Sequence, residues 1–474
     1  MQLPIVKVAP VVEIHAKIFQ NLFANRRQFL HFQNYLTGLI VLENKSLANI
    51  ARCLLESADK TNLSRFLSEA PWQENKVNER RIEYMMKMTS AHRLEAKESA
   101  LVIDDTLCEH VGSLFEYIDR HYNHGADSYP LAHNLVSSYY VSGAVRFPVD
   151  AHLYRRYEEV TQWSDFVQKH FPTETIPTEK KQRMSFHKRV APVLLKDPAF
   201  CALHEQFRTK ITLSTELLER TTIHGLPFQW VLFDSWYLSP EFVAEIEKHG
   251  KDWISILKSN RNLETNSFVL LDADGQPIPL AGPHIKVSDL VPLIPQNAYK
   301  PIQIDQRTYY TFTLVVHIPS IGKVRLVVSF DNPDLKGTYA LLVSNRLNCL
   351  AITMISTYLL RWPIETFYQD SKQQLGLDEY RMRTAEAIKN HWCLVFVAYS
   401  FLHLDCLSAS LPKKHTSPQK SIGEAARQQV QALIQDLILY THHALSKGQP
   451  IQDLFASLFA KQQPSTPKQV ACQV

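Results

Sequence analysis

The sequence predicts an α/β fold in which helices pack on a mixed sheet. Two short apolar runs, at residues 100–103 and 231–233, are typical of strands buried on both faces, and an aspartate follows each run. Residues 144–154 alternate apolar and polar side chains, which indicates a strand with one buried face. Helical patterns surround these strands, so we expect a sheet with helices packed against it.

Composition and charge define the class of protein. The chain has 474 residues, 45% hydrophobic and 21% charged, which is typical of a globular protein of about three domains. A net charge of +4 permits a nucleic-acid partner but requires any basic surface to be local. Seven cysteines without CxxC pairs or zinc-like spacing indicate reduced thiols. With no signal-like start and no apolar run of about 18 residues, we expect a cytoplasmic protein without a membrane segment.

Residues 1–97 are predicted to form a helical N-terminal DNA-binding domain. The stretch SLANIARCLLE, then SADKTN, then LSRFLSE suggests a helix, a turn and a second helix, with Leu47 and Phe66 among the inward residues. A small helical bundle and a variant of the DNA-binding helix-turn-helix both fit this pattern.

Residues 98–261 are predicted to form the first part of a core domain. A hairpin of residues 133–141 and 144–154 turns near Gly143. Pro148 has no backbone N–H to donate, which favours an edge position for the second arm. The other predicted elements of this part are a mainly helical stretch (155–223), a strand (231–233), a helix that begins after Ser239 and a strand (253–258).

The rest of the chain is predicted to contain a β-rich insertion, a late helical part and a tail. Residues 262–350 contain three strand candidates, TYYTFTLVVHI, KVRLVVSF and TYALLVSN, separated by turn residues. Residues 351–410 return to helical patterns and form the last part of the core. Residues 411–474 are predicted to be a linker and a C-terminal helical tail.

Three acidic residues stand at comparable places in this pattern. Asp105 and Asp234 each end a short buried strand, and Glu365 lies on a helix after the β-rich insertion. Strand ends are where α/β sheets place their sites. Three carboxylates within about 4–5 Å repel one another by several kcal/mol per pair, so such a cluster is stable mainly when it holds divalent cations. Oxygen ligands suit Mg²⁺ or Mn²⁺, and two such ions can promote phosphodiester chemistry.

The segment YLLRWPIETFYQDSK around Glu365 carries four polar residues at regular intervals. Tyr358, Arg361, Glu365 and Lys372 are separated by three, four and seven residues. On a helix of about 3.6 residues per turn, these intervals place all four within about 60° of one another. Pro363 suits a first turn and not a helix interior, so the segment is either two helices that meet near this proline or one kinked helix.

These motifs resemble those of the DDE transposases of bacterial insertion sequences. YLLRWPIETFYQDSK fits, at every fixed position, the Tyr-x2-Arg-x3-Glu-x6-Lys signature of the insertion-sequence-four-like branch. VIDDT and VLFDSWY are similar to the first and second motifs of that family. The resemblance covers about residues 95–405. It implies a ribonuclease H-like core, with a mixed five-stranded sheet and helices, interrupted by the β-rich insertion.

The resemblance also implies which residues bind the metal ions. Asp105, Asp234 and Glu365 match the acidic triad of the family. Asp105 is preferred over Asp104 because the aspartate of the family directly precedes a threonine, and successive strand residues point to opposite faces. The expected cofactor is Mg²⁺, for which Mn²⁺ would substitute.

The same resemblance implies a DNA substrate. Tyr358, Arg361 and Lys372 would contact phosphates at the cleaved end, because guanidinium and ammonium groups suit phosphate oxygens. The expected protein is a two-metal-ion transposase that binds double-stranded element ends as a homodimer. It would cut them by hydrolysis and join the 3′-hydroxyl ends to target DNA, in the cytoplasm at the nucleoid.

Two alternative functions remain open on the sequence alone. One is a metal-dependent nuclease of the same fold that does not transfer strands. The other is a non-catalytic DNA-binding protein derived from a transposase. The intact acids at all three positions argue against this second alternative.

Overall fold

The structure is a computed structural model that describes most of the chain. The described residues are 3–55, 60–123, 125–408 and 420–462. They divide into two compact units. The first unit comprises Met1–His92, Leu114–Glu116 and Phe367–Val474. The second unit comprises Arg93–Ser113 and Tyr117–Thr366. The predicted linker after residue 410 falls mostly outside the described residues.

Helices occur in both units. The α-helices are α1 (Pro10–His15), α2 (Arg26–Val41), α3 (Leu47–Cys53), α4 (Lys60–Ser68), α5 (Glu74–Met88), α6 (Tyr157–Val160), α7 (Trp163–His170), α8 (Lys180–Leu194), α9 (Pro198–His204), α10 (Lys210–Ile223), α11 (Pro240–Lys248), α12 (Val287–Leu290), α13 (Ala351–Tyr358), α14 (Pro363–Leu375), α15 (Ala385–Ser408), α16 (Ile422–Ser446) and α17 (Ile451–Phe459). Short 3-10 helices cover Ala16–Leu22, Ala96–Glu98, Thr265–Ser267, Val291–Leu293, Gln296–Ala298, Leu359–Arg361 and Ala460–Gln462.

All strands in the described ranges lie in the second unit. They are β1 (Ala100–Glu109), β2 (Asp119–Arg120), β3 (Leu131–Ser142), β4 (Val145–Tyr154), β5 (Trp230–Phe233), β6 (Asp252–Ile256), β7 (Asn262–Glu264), β8 (His284–Lys286), β9 (Lys300–Ile304), β10 (Arg307–Ile318), β11 (Gly322–Phe330) and β12 (Tyr339–Ser344). Strands β10, β11 and β12 confirm the three candidates predicted in the β-rich part.

The first unit is helical around one buried helix. α15 is apolar on nearly every side and packs against α2, α4, α5 and α16 of the same unit. A helix that is hydrophobic all round is stable only when other elements enclose it. α16 begins with a capping box, in which Ser421 and Glu424 bond each other's backbone N–H groups. None of the helices in the described ranges combines the length and apolarity needed to cross a membrane.

The sheet of the second unit is larger than predicted. In the described residues it has ten strands in the order β2-β3-β1-β5-β6-β12-β11-β10-β9, with β4 paired to β3. The predicted mixed sheet is confirmed, and it extends beyond the five strands expected for the core. The reason is that β12 pairs antiparallel with β6, with Val343 opposite Ser255, so the β-rich insertion continues the sheet.

The hairpin of β3 and β4 confirms its sequence prediction. It turns at Gly143, which has a φ of 62° and so adopts a left-handed conformation that glycine accepts readily. β4 pairs only with β3 among the described strands and so lies at an edge. The pairing shifts register between Ser138 and Tyr139, where Pro148 faces β3. A bulge beside a proline is expected because the proline has no ladder hydrogen to donate.

β1 extends further than the sequence indicates. The predicted strand ends at residue 103, whereas β1 continues to Glu109 along its partner β3. Asp104 and Asp105 therefore lie within a strand, opposite Ser137 and Val136. Because side chains alternate along a strand, the two aspartates point to opposite faces of the sheet.

Candidate active site

The candidate site lies where β1 and β5 run side by side. These strands are parallel, with Val102 opposite Leu232. Counting two residues further on each strand brings Asp104 level with Asp234, which directly follows the end of β5. Alternation along a strand gives Asp104 the face of Val102. The register thus brings one of the two β1 aspartates beside Asp234.

Arg361 joins Asp104 to the glutamate of the signature segment. Its Nη2 donates to Oδ2 of Asp104 at 2.7 Å, and its Nη1 donates to Oε1 of Glu365 at 2.7 Å. The side chains of Arg361 and Asp104 are only 15% and 14% exposed, whereas Glu365 is 39% exposed. One guanidinium is therefore shared between two carboxylates in a largely buried place, where charge pairing is strong.

The charge state of this cluster depends on its neighbours. Burial raises the pKa of the Asp104 carboxyl to about 7, against an opposing effect of the Arg361 guanidinium. The Asp105 and Asp234 carboxylates add to the increase. Burial acts to lower the pKa of Arg361, but its anionic neighbours, Asp104 first, raise it above the ordinary value. The ionisation of Asp104 near neutral pH is thus set by its burial and by the cation beside it.

The signature segment, residues 358–372, forms two helices and not one. α13 ends at Tyr358, a 3-10 helix covers Leu359–Arg361, and α14 begins at Pro363. A proline in the first turn leaves no helical hydrogen bond unmade. The Tyr358 hydroxyl donates to the carbonyl of Phe233 at 3.4 Å, and burial raises the pKa of that hydroxyl. Tyr358 therefore lies beside the end of β5.

Asp105 has a separate set of partners. Its Oδ2 accepts from Nζ of Lys210 at 2.7 Å and from Nδ2 of Asn134 at 3.0 Å. Its Oδ1 accepts from the hydroxyl of Tyr237 at 2.7 Å. The Lys210 and Asp105 side chains are 14% and 21% exposed. Three protein groups thus donate hydrogen bonds to the Asp105 carboxylate. One of them, the Lys210 ammonium, also forms a partly buried ion pair with it.

Lys210 is a residue of the site that the sequence did not indicate. It is the first residue of α10, and its Nζ lies 5.4 Å from the ring centre of Tyr154 and 5.1 Å from that of Trp236. The Trp236 side chain is 47% exposed, and its backbone N–H donates to Oδ1 of Asp234. A lysine at a helix start has no distinctive spacing from a strand aspartate, so no local signal could have found it.

Lys372 and the other signature residues are assigned to different units. Lys372 belongs to the first unit, whereas Tyr358, Arg361 and Glu365 belong to the second. The predicted contact of Lys372 with phosphate stays a prediction.

The donor types of the site fit a divalent cation. Carboxylate oxygens are the ligands that Mg²⁺ and Mn²⁺ prefer. In the part of the chain that the structure describes, no group of three or more His, Cys, Asp or Glu side chains is arranged to hold a metal ion. The Arg361 guanidinium donates to both Asp104 and Glu365. A cation bound by both carboxylates requires this guanidinium to move.

Comparison with known proteins identifies the family. The family described as DDE superfamily endonuclease matches residues 18–284, which is more than half of the 474 residues. The chain belongs to the DDE superfamily endonucleases. A second family, described as transposase DDE domain, matches residues 201–401. The two matches overlap, and together they contain every residue of the Asp104, Asp234 and Glu365 cluster.

This DDE superfamily member also has a distant curated relative. It is 22% identical over 264 residues to a probable transposase for insertion sequence element IS701 from Microchaete diplosiphon. The similarity covers 55% of this chain and 57% of the relative, so it spans little more than half of either protein. The specific insertion-sequence-four-like branch expected from the signature is not among these similarities.

Proposed function

We propose that this protein is a DNA transposase that binds the ends of an insertion sequence, cuts them and joins the freed 3′-hydroxyl ends to target DNA. The family membership and the relative named as a probable transposase support this proposal. The observation that carries it is the register of β1 and β5, which brings Asp104 beside Asp234, together with the bonds of Arg361 to Asp104 and Glu365.

Asp104, Asp234 and Glu365 are the residues that would hold the divalent cations. Support for Asp104 comes from its register with Asp234 and from its bond to the arginine that also binds Glu365. Asp105, which the sequence favoured, is the alternative ligand, and its pairing with Lys210 speaks for a structural function instead. When bound, Mg²⁺ or Mn²⁺ would activate the attacking oxygen and stabilise the leaving oxygen of a phosphodiester.

The signature residues would position the DNA. Arg361 can form two parallel hydrogen bonds to phosphate oxygens once it leaves the carboxylates, since guanidinium geometry matches phosphate as well as carboxylate. Tyr358 lies beside the end of β5, where a terminal phosphate would approach Asp234. Lys372 is proposed as a further phosphate contact.

The remaining expectations belong to this proposal. A ribonuclease H-like core is supported by the order of β3, β1, β5 and β6, in which β1, β5 and β6 are parallel and β3 is antiparallel.

The helical residues 1–97 would bind element ends, and two copies would hold two ends in the DNA complex. The insertion-sequence-four-like branch is supported by the fit of the signature segment. Action on DNA implies a cytoplasmic location.

A strand-transfer assay tests the proposal. The purified protein is incubated with Mg²⁺, a target plasmid and labelled DNA from the borders of its own gene. We expect nicks at defined 3′ ends and their joining to the plasmid, both absent in EDTA and in Asp234→Asn. Nicks without joining would replace the proposal with a nuclease. Binding with neither reaction would replace it with a non-catalytic DNA-binding protein.

A further inference from the structure

The helices between β4 and α10 have no part in the function proposed above. Residues 155–209, here called the helical lobe, contain α6 to α9. The lobe begins and ends at the candidate site. Tyr154 ends β4 and Lys210 begins α10, and the Lys210 ammonium lies over the Tyr154 ring while it bonds Asp105. The base of the lobe therefore lies beside Asp105 at the candidate site.

The lobe has a hydrophobic core of its own, which fixes the orientation of α8. Its buried residues are Trp163, Val167, Phe186, Val190, Leu194 and Phe200. Three of them, Phe186, Val190 and Leu194, belong to α8 and recur every four residues, so they define one inward face of this helix. The opposite face of α8 must point to solvent.

The arginines of α8 are neutralised inside the lobe. Arg183 donates to both carboxylate oxygens of Glu158, at 3.0 and 2.5 Å. Arg189 forms an ion pair with Glu174. The Glu179 carboxylate caps the start of the same helix by accepting from two of its backbone N–H groups. These acids are therefore already engaged and do not balance the lysines of α8.

Two lysines of α8 lie opposite its buried face. At about 100° per residue, Lys181 and Lys188 are within about 20° of each other and about 180° from Val190. Both are exposed, as is Ser185 between them. Within the described residues, no salt bridge involves Lys181 or Lys188. The outer face of α8 is thus a positively charged stripe without a matching carboxylate.

We infer that this stripe of α8 binds the phosphate backbone of double-helical DNA beside the cleavage site. The inference rests on the proposed function, which brings DNA to the candidate site, where the lobe begins. Double-stranded DNA carries one charge per about 1.7 Å of its axis, and the Cα atoms of the two lysines are about 10 Å apart along the helix axis. Lysines bind phosphates as point charges without reading bases. The contact is therefore independent of sequence.

The test compares two double variants with equal loss of charge. Lys181→Gln with Lys188→Gln removes the stripe. Lys169→Gln with Arg189→Gln is the matched control, because these residues lie on the same lobe but pair with Asp197 and Glu174. Binding of each protein to a random-sequence duplex of about 30 base pairs is followed by fluorescence anisotropy from about 50 to 200 mM NaCl. Thermal melting verifies that each variant is folded.

We expect the stripe variant to lose about 1.8 units of the log–log slope of affinity against salt, at about 0.9 per phosphate contact. The control should change by much less, because paired residues release few counterions. Equal slopes for wild type and the stripe variant would overturn the inference and leave the proposed function intact. Equal losses in both variants would also overturn it, since they would reflect net charge alone. A wild-type protein that binds no DNA would overturn both.

Discussion

The neighbouring residues Asp104 and Asp105 should respond in opposite ways to the same substitution. Both belong to β1. The Asp104 carboxylate accepts from Arg361 in a largely buried position. The Asp105 carboxylate accepts from Lys210, Asn134 and Tyr237. Replacement by asparagine removes the charge and keeps the shape. The two variants, Asp104→Asn and Asp105→Asn, are thus matched controls for each other.

The magnitude for Asp104 follows from its pKa. The folded protein raises this pKa from 3.8 to about 7, so the folded state binds the proton more tightly than the unfolded state. The ionisation of Asp104 therefore costs no stability below about pH 4, and its cost grows as pH rises from about 4 to about 7. At about 1.4 kcal/mol per pKa unit, the loss in the free energy of unfolding approaches about 4 kcal/mol at pH 8. An asparagine at this position does not ionise and has no such loss, so Asp104→Asn should gain stability relative to wild type as pH rises.

Asp105→Asn is expected to lower the stability of the protein. Asp105→Asn leaves the ammonium of Lys210, which is 14% exposed, without its anionic partner. Removal of one partner of a partly buried ion pair leaves the other charge uncompensated, which costs on the order of 2 kcal/mol. The loss should be present at pH 8, and Lys210→Met introduced together with Asp105→Asn should recover part of it.

Thermal melting in metal-free buffer at pH 5 and pH 8 measures both effects. For a folding unit of this size, 1 kcal/mol corresponds to about 2 °C in Tm. We expect the difference in Tm between Asp104→Asn and wild type to rise by several degrees from pH 5 to pH 8. Asp105→Asn should have a lower Tm than wild type at pH 8. A pH-independent difference for Asp104→Asn, or no loss for Asp105→Asn, would refute the assignment of the two environments.

Two further predictions concern other buried charges. Arg361→Gln should tighten Mn²⁺ binding to the DNA-free protein by about tenfold or more, because it removes a cation that bonds two candidate ligands, Asp104 and Glu365. Titration calorimetry measures this affinity, and equal or weaker Mn²⁺ binding by the variant would contradict the prediction. Burial lowers the pKa of Lys45 to about 8, so this group costs stability below pH 8 and the cost fades towards pH 10. Lys45→Met should therefore raise Tm at pH 7 but not near pH 10, and an equal change at both pH values would show that the effect is not one of charge.

Much of the sheet follows from local sequence, but its extent does not. The apolar runs of β1 and β5 and the alternation in β4 predicted these strands, because burial on one or two faces sets the pattern. The continuation of β1 to Glu109 depends on its long partner β3, which supplies hydrogen bonds to a polar stretch that has no apolar signal. The joining of β12 to β6 is likewise a pairing of distant segments that no local pattern specifies.

The candidate site shows the same limit at the level of single residues. Alternation along the strand indicated that only one of Asp104 and Asp105 faces the other acids, and the threonine that follows favoured Asp105. The face of each depends on the register between β1 and β5, which is a property of the fold. The partner of Asp105, Lys210, lies 105 residues away in sequence and was beyond any spacing rule. Local chemistry thus predicts the kinds of groups in the site more readily than their pairing.

Metal-dependent cleavage of border DNA by Glu365→Gln is the decisive test of the proposed metal site. Glu365 is 39% exposed and lies in the first turn of α14, so the amide should leave the fold and DNA binding intact while it removes a candidate metal ligand. With Mg²⁺, we expect wild type to nick the DNA and Glu365→Gln to bind the same DNA with similar affinity without nicking it. Nicking by Glu365→Gln at a rate near that of wild type would show that Glu365 is not a metal ligand needed for cleavage.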